Sequence, residues 1–344
     1  MQIAGELKKD HIIIEKPKDI GRLYDKSHFG KFIDKNKLKL DLIEGVFLFE
    51  EGKIKIKKGS NKIDFETLFS LALKKFQHFE IKYLVFKDLK KRGHSINIYE
   101  KDKVITFNQV KNQFYVIAFS ERDKLDLNKI KKTIMKVKKD GKALWIAIVD
   151  EEGDITYYDA SIIDIKGNIK NYKFPKGKCV LIENRGIIFD TKLSKILFEK
   201  EFFGKPFGKW LQISFVEALY LYKNNILDIS TLKENENSID KIKNFIYNKQ
   251  PDINQRLYVY EDLKKRRLIV KTGFKFGSHF RAYTKCPDET HAEYLIHVVS
   301  NNFKGIWEEI SRAVRLAHSV NKEILLAQIS KPKINYIKFG RLRP

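Results

Sequence analysis

The stretch that decides the fold is "KTGFKFGSHFRAYTKCPDETHAEYLIHVV", which runs from Lys271 to Val299. The segment that leads into it, "YEDLKKRRLIVKTG", has a near copy earlier in the chain, "FKDLKKRGHSINI" from Phe86 to Ile98. Two polar residues further along, Tyr283 and His291, have no such copy. The chain therefore carries one module twice and keeps these polar residues in only one copy.

Further matches in the same order indicate a tandem duplication. "LYDKSHFGK" matches "LFEKEFFGK", and each precedes a segment that we predict to be helical, "LKLDLIEGVFLFEEGKI" and "LQISFVEALYLYKNNIL". A shared glutamate, Glu44 or Glu217, lies inside each apolar run. Near the end of each copy, "KALWIAIVDEEGDITYY" matches "KEILLAQISKPKINYI".

The pattern predicts an α+β fold in which each copy has a small α+β N-terminal domain and a mixed-sheet C-terminal domain. The predicted domains are residues 1–76, 77–170, 171–250 and 251–344. Each N-terminal domain ends in an amphipathic helix, "FETLFSLALKKF" or "SIDKIKNFIYNK". Each C-terminal domain begins with a short helix through "DLKKR" and continues in strands such as "EYLIHVV" and "EILLAQI". The helix "WEEISRAVRLAHSV" has a predicted buried stripe that consists of Ile306, Ile310, Ala313, Val314 and Ala317.

The charge of the chain favours a polyanionic partner. Lys and Arg number 68 against 44 Asp and Glu, for a net charge of +24 spread along the sequence. Nucleic acid fits better than a membrane, because we find no apolar run of about 18 residues and no signal peptide. We therefore expect a soluble, cytoplasmic protein. Cys179 and Cys286 lack the spacing of metal ligands, so the sequence predicts no metal and no cofactor.

A full set of Tyr, His and Lys occurs only in the second copy, as Tyr283, His291 and Lys322. The aligned residues of the first copy are about Phe107, Asn112 and Lys142. Such a set suits metal-free cleavage of an RNA phosphodiester: one group takes the proton of the 2′-hydroxyl, one protonates the departing 5′-oxygen, and a cation stabilises the charge on phosphorus.

The segments "KTGFKFGSHFRAY", "THAEYLIHVV", "RAVRLAHSVNK" and "INYIKFGRLRP" resemble, in this order, the catalytic domain of the archaeal tRNA-splicing endonuclease family. "KWLQISFVEALYLYKNNILDI" is similar to the small N-terminal domain of that family, so the resemblance spans the chain. It implies a nuclease-type C-terminal domain, and in this arrangement a homodimer of two fused copies in which only the second copy is active.

The resemblance also implies residue roles. Tyr283 would be the general base, His291 the general acid and Lys322 the group that stabilises the transition state. Arg315 and Arg341 would clamp a bulged base of the RNA by stacking on its faces. The acidic residues of "DEEGD", namely Asp150, Glu151, Glu152 and Asp154, would dock in a basic cleft of the partner chain.

The implied substrate is precursor tRNA, cut at both exon–intron junctions within a bulge-helix-bulge. The products would carry 2′,3′-cyclic phosphate and 5′-hydroxyl ends. Two alternatives remain open at this point: a non-catalytic RNA-binding subunit of such an enzyme, and a metal-dependent nuclease of unrelated fold.

Overall fold

The computed structural model of the chain describes residues 2–101, 104–109, 114–232 and 239–344. The chain forms two compact units. The first unit contains residues 1–161, 304–310 and 340–344, and the second contains residues 162–303 and 311–339.

The first copy of the duplicated sequence begins with a small sheet and its helices. In chain order its elements are β1 (Ile3–Leu7), β2 (His11–Ile14), α1 (Pro17–Leu23), β3 (Lys31–Asp34), β4 (Lys37–Asp41), α2 (Leu42–Glu50), β5 (Ile54–Lys58), β6 (Asn61–Ile63) and α3 (Phe65–Lys75). The elements that follow are α4 (Phe79–Lys91), β7 (Ile96–Lys101), β8 (Val104–Gln109), β9 (Phe114–Ser120), β10 (Lys124–Asp126), α5 (Leu127–Lys139), β11 (Ala143–Val149) and β12 (Ile155–Ile163).

Among the described residues, the second copy repeats this order of elements except for a counterpart of β6. Its first part contains β13 (Gly177–Ile182), β14 (Arg185–Ile188), α6 (Thr191–Glu201), β15 (Lys205–Phe207), β16 (Trp210–Ile213), α7 (Phe215–Lys223), β17 (Leu227–Thr231) and α8 (Ile239–Lys249). Its second part contains α9 (Ile253–Lys265), β18 (Ile269–Thr272), β19 (Phe280–Tyr283), β20 (Tyr294–Val299), β21 (Lys304–Ile306), α10 (Trp307–Ser319), β22 (Glu323–Ser330) and β23 (Lys333–Leu342).

Apart from β6, strand order and direction agree between the copies among the described residues, which confirms the predicted duplicated α+β fold. The small sheets have the orders β3-β4-β2-β1-β5-β6 and β15-β16-β14-β13-β17. In the larger sheets the first copy has β12-β11-β9-β8-β7 and the second has β23-β22-β20-β19-β18. The parallel pairs are also equivalent, β9 with β11 and β20 with β22.

The shared glutamates hold the start of a helix in both small domains. Glu44 accepts hydrogen bonds from the backbone N–H groups of Gly30 and Asp41, both at 2.9 Å. Glu217 accepts them from Gly204 and Ser214, both at 2.8 Å. Burial raises the pKa of Glu44 to about 7. These glutamates are therefore part of the scaffold, and this role explains why both copies keep a glutamate at this position.

The two segments predicted to be helical, "LKLDLIEGVFLFEEGKI" and "LQISFVEALYLYKNNIL", are helical only in part. Each begins as a strand, β4 or β16, and the helix starts at the capping box that the glutamate completes. The helices through "DLKKR" are longer than predicted and begin at Phe79 and Ile253. In α10 the stripe at Ile310, Val314 and Ala317 is buried as predicted. The proposed first member of that stripe, Ile306, instead belongs to β21.

The repeated "DLKKR" motif has a structural role in both copies. The hydroxyl of Tyr157 donates to Asp88 and that of Tyr336 donates to Asp262, each over 2.7 Å. The same aspartates accept from the arginine four residues later, Arg92 at 2.8 Å or Arg266 at 2.6 Å. Burial, followed by the aspartate bond, raises the pKa of both tyrosines. The motif therefore ties α4 to β12 and α9 to β23.

Within the described parts of the chain, no helix is both long enough and apolar enough to cross a membrane.

We predict that Tyr336→Phe lowers the free energy of unfolding by about 1.5–3 kcal/mol, because a buried hydrogen bond to a charged group is lost. Tyr157→Phe should have an effect of the same size, since its bond to Asp88 is equivalent. Urea denaturation followed by circular dichroism measures both changes. Tyr247→Phe is the matched control on an exposed tyrosine. If Tyr336→Phe lowers the free energy of unfolding no more than Tyr247→Phe does, the stabilising role assigned to the Tyr336 hydrogen bond is wrong.

Candidate active site

The pairing of three neighbouring strands brings the three residues that the sequence predicts to be catalytic to the same edge of the sheet. Ala282 of β19 pairs with Tyr294 of β20, and Tyr294 pairs with Glu323 of β22. Tyr283 lies one residue beyond this row, Lys322 lies one residue before it, and His291 lies in the loop that enters β20. The pairing thus brings the backbones of Tyr283 and Lys322, and the loop that carries His291, to one edge of the sheet.

Tyr283 is held by apolar neighbours and lies near a cation. Its side chain is 7% exposed and packs with Ile269 and Ala292. The guanidinium carbon of Arg281 lies 5.8 Å from the centre of its ring. This packing restricts the ring, and the arginine supplies positive charge beside it.

Lys322 is positioned by the end of helix α10. Its backbone N–H donates to the carbonyl of Ala317 over 2.9 Å. Asn321 precedes it with a φ of 53°, a left-handed conformation that Asn tolerates better than most residues. The Lys322 ammonium lies 5.5 Å from the centre of the Phe276 ring and 3.3 Å from the carbonyl oxygen of Val320. Its position therefore follows from the helix-to-strand turn.

His291 is exposed on the loop between β19 and β20. Inside the loop, the carbonyl of Cys286 accepts from the backbone N–H groups of Glu289 at 3.0 Å and Thr290 at 3.1 Å. At the base of the loop, the carboxylate of Glu293 accepts from the backbone N–H of Thr284 at 2.9 Å and from its hydroxyl at 2.6 Å. Sequence analysis did not single out Glu293.

The registers of the two sheets refine the comparison between the copies. Phe107 pairs with Val116 in the first copy, and Phe280 pairs with Ile296 in the second. When the equivalent parallel pairs are aligned as well, Phe107 of the first copy corresponds to Phe280 of the second. The counterparts of Tyr283 and Glu293 then fall at Val110 and Gln113. These two residues, like Asn112, lie outside the described residues, but their identities alone exclude a tyrosine or a carboxylate there.

The two arginines implied by the resemblance are both exposed. Arg315 lies on α10, on the side away from the buried Val314 and Ala317. Arg341 lies near the end of β23 and groups with the first compact unit, whereas the three residues at the strand ends belong to the second.

The acidic loop is an ordered turn. The Asp150 carboxylate accepts from the backbone N–H groups of Glu152 at 3.1 Å and Asp154 at 2.9 Å. Glu151 forms an ion pair with Arg122. Gly153 has a φ of 85°, as the turn requires. Asp150 is therefore engaged within the loop and Glu151 with Arg122, and the exposed Glu152 and Asp154 carry its outward charge.

A basic cleft of about 960 Å³ lies in the second unit, between the small sheet and the larger sheet of the second copy. Its cationic lining residues are Arg185, Lys205, Arg256, Lys271 and Arg281. His279 also lines it; burial first, and then His297 and Arg256, lower the pKa of His279 to about 4. Tyr283, His291 and Lys322 do not line the cleft, so the cleft is a separate site from the one that these three residues form.

Among the described residues, no three His, Cys, Asp or Glu side chains are grouped so that they could hold a metal ion.

Comparisons with known proteins agree along the whole chain. The family described as tRNA intron endonuclease, catalytic C-terminal domain, matches residues 79–157 and 253–336. The N-terminal domain of the tRNA intron endonuclease matches residues 3–69 and 177–242.

Archaeal proteins named tRNA-splicing endonuclease are similar over nearly full length. The protein of Methanococcoides burtonii is 34% identical over 99% of this chain and 100% of its own length. That of Methanosarcina mazei is 30% identical over 99% of both chains. That of Thermoplasma volcanium is 31% identical over 90% of this chain and 88% of its own length. With both domains matched twice and full-length relatives at this identity, the chain belongs to the tRNA intron endonuclease family.

Proposed function

We propose that this endonuclease cuts precursor tRNA at both exon–intron junctions within a bulge-helix-bulge, without a metal ion. The observation that carries the proposal is the meeting of Tyr283, His291 and Lys322 at one sheet edge, inside a segment that matches the family's catalytic domain. The net charge of +24 supports a polyanionic substrate. The affinity of the protein for such a substrate should fall steeply as the salt concentration rises.

In the proposed reaction, the Tyr283 phenolate accepts the proton of the 2′-hydroxyl at the scissile junction. The 2′-oxygen then forms a bond to the adjacent phosphorus, and the bond from phosphorus to the 5′-oxygen breaks. The His291 imidazolium donates a proton to that leaving oxygen. The products are a 2′,3′-cyclic phosphate and a 5′-hydroxyl, and atoms and protons balance without a co-reactant.

Two cations assist this step. Lys322 would lie against the non-bridging oxygens and stabilise the charge that develops on phosphorus. Arg281, at 5.8 Å from the Tyr283 ring, would stabilise negative charge on the phenolate. His291 suits the acid role because a protonated imidazole can donate its N–H proton to the leaving oxygen.

Recognition would rely on unpaired bases, because A-form RNA hides its base edges in a deep major groove. Arg315 and Arg341 are proposed to stack on a bulged base. Both side chains are exposed, as such contacts require.

We further propose a homodimer in which the acidic loop of one chain docks in the basic cleft of another. The outward charges of the loop, Glu152 and Asp154, complement the cations of the cleft, of which Arg185 and Lys205 are exposed. The first copy would then be retained for assembly and the second for cleavage. The proposed domain divisions fall after residues 76, 170 and 250.

His291→Ala should lower the rate of cleavage by roughly 10²- to 10⁴-fold, the usual contribution of a general acid, with RNA binding nearly unchanged. The measurement is cleavage of an end-labelled bulge-helix-bulge RNA in EDTA, with the product ends mapped. Lys142→Ala, the equivalent of Lys322 in the first copy, is the matched control and should leave the rate unchanged.

Two cuts with cyclic phosphate ends, lost in His291→Ala, would support the proposed reaction. Binding without cleavage by the unaltered protein would instead favour the non-catalytic RNA-binding subunit. Cleavage that requires a divalent ion and stops in EDTA would favour the metal-dependent alternative.

The double variant Glu152→Gln, Asp154→Asn should weaken the dimer by at least about tenfold, equivalent to about 1.4 kcal/mol, because the cleft loses its opposing charges. Sedimentation velocity over a concentration series measures the change. The control is Glu66→Gln, Glu80→Gln, which removes the same charge from exposed positions of the first copy. Neutralising all four acidic residues of the loop should weaken the dimer at least as much, and an unchanged sedimentation profile at low concentration would disprove the docking.

A further inference from the structure

We infer that Glu293 is the positioning residue of this active site: it holds the loop that carries His291 in register with Tyr283 and Lys322. This inference rests on the proposed function, because the three residues it would align are the proposed catalytic ones. Glu293 itself is not placed against the substrate.

The first observation is the closure of the loop at its base. Regular pairing of β19 with β20 ends at Ala282 and Tyr294. One step further out, both carboxylate oxygens of Glu293 accept from Thr284, one from its backbone N–H at 2.9 Å and the other from its hydroxyl at 2.6 Å. The carboxylate thus supplies the next link between the two strands, and the His291 loop is closed directly beside Tyr283.

The second observation is a contact with the third strand. The backbone carbonyl of Glu293 accepts from the backbone N–H of Glu323 over 2.9 Å. Glu323 directly follows Lys322 in the chain. Glu293 is therefore two residues from His291 and hydrogen-bonded to the residue that follows Tyr283 and to the residue that follows Lys322. One side chain and one peptide group link all three positions.

The neighbouring contacts make Thr284 a firm anchor for this link. Its own carbonyl accepts from the backbone N–H of Asn168 at 3.1 Å, so Thr284 is held from both sides. Inside the loop, by contrast, the hydrogen bonds to the Cys286 carbonyl are local ones from Glu289 and Thr290. The position of His291 relative to the sheet therefore depends on the base of the loop.

The duplication argues that the carboxylate serves the active site. By strand register Glu293 corresponds to Gln113, so the carboxylate, like the tyrosine and the histidine, occurs in the second copy alone. The first copy forms the equivalent parallel pair of β9 and β11 with no carboxylate at this position. The sheet can thus form without it, whereas the catalytic set occurs only with it.

A carboxylate is the group that this link requires. Thr284 offers two donors, and an ionised carboxylate accepts at both oxygens. A glutamine has one accepting oxygen, and its amide nitrogen is a donor that would face the second donor of Thr284. Glu293→Gln therefore breaks half of the link while it preserves the size of the side chain.

The test compares Glu293→Gln with three variants under single-turnover and steady-state conditions. Glu293→Gln should lower kcat by about 10- to 100-fold, the usual effect of misplacing a catalytic group by about 1 Å, while KM for the RNA changes less than twofold. Thr284→Val, which removes the hydroxyl donor, should also lower kcat, and Thr284→Ser, which keeps that donor, should restore it. Glu323→Gln is the matched control, because its carboxylate binds Lys338 and only its backbone takes part in the link.

Two further measurements separate positioning from a general loss of structure. In the His291→Ala background, Glu293→Gln should cause little further loss of rate, since the group that it positions is absent. Hydrogen exchange of the Glu293→Gln protein should increase in residues 284–292 and stay unchanged in the other strands.

Each outcome decides between the proposals. If the unaltered protein cleaves and Glu293→Gln has the same kcat, or the exchange of residues 284–292 is unchanged, the role of Glu293 is disproved and the proposed function stands. If Glu293→Gln lowers the rate of the His291→Ala protein by the same factor as it lowers the rate of the unaltered protein, Glu293 does not act through His291. If the unaltered protein does not cleave, the proposed function fails, and the positioning role of Glu293 fails with it.

Discussion

The arrangement of the candidate active site depends on one row of strand pairs, Ala282 with Tyr294 and Tyr294 with Glu323. Because side chains alternate across a strand, a slip of one residue in either pair would turn the polar groups to the opposite face. The apolar residues on these strands oppose such a slip, since Ile296, Leu325 and Ala327 belong to one buried core. Packing of the core thus sets the positions of the polar groups at the edge.

The two copies separate what the scaffold needs from what the site needs. Both copies keep the glutamate that holds a helix start and the aspartate that binds a buried tyrosine and an arginine. These groups satisfy buried polar atoms, whose loss would destabilise either copy. Tyr283, His291 and Glu293 occur in the second copy alone. The groups that make these contacts in both copies are therefore scaffold, whereas the proposed site combines residues of the second copy alone with Lys322, whose counterpart in the first copy is Lys142.

Electrostatics distinguishes the copies in a second way. The loop between β11 and β12 is acidic and ordered by Asp150, whereas the equivalent segment of the second copy, "SKPK", is basic. The cleft lined by Lys205 and Arg281 concentrates positive charge within the second unit. In a chain with a net charge of +24, a compact acidic loop is a strong local exception, and complementary charges of this kind favour one orientation of association.

The sequence by itself determined the duplication, the α+β class, the amphipathic helices and the family, because these depend on local periodicity and ordered motifs. It also predicted Tyr283, His291 and Lys322 as catalytic residues, through the comparison of the copies and the family resemblance. Only the tertiary structure decided where the helices begin, because strands β4 and β16 gain their main-chain partners from distant residues. It alone identified the cleft and the link from Glu293 to Thr284 and Glu323, because these contacts join separate strands and leave no periodic signal in the chain.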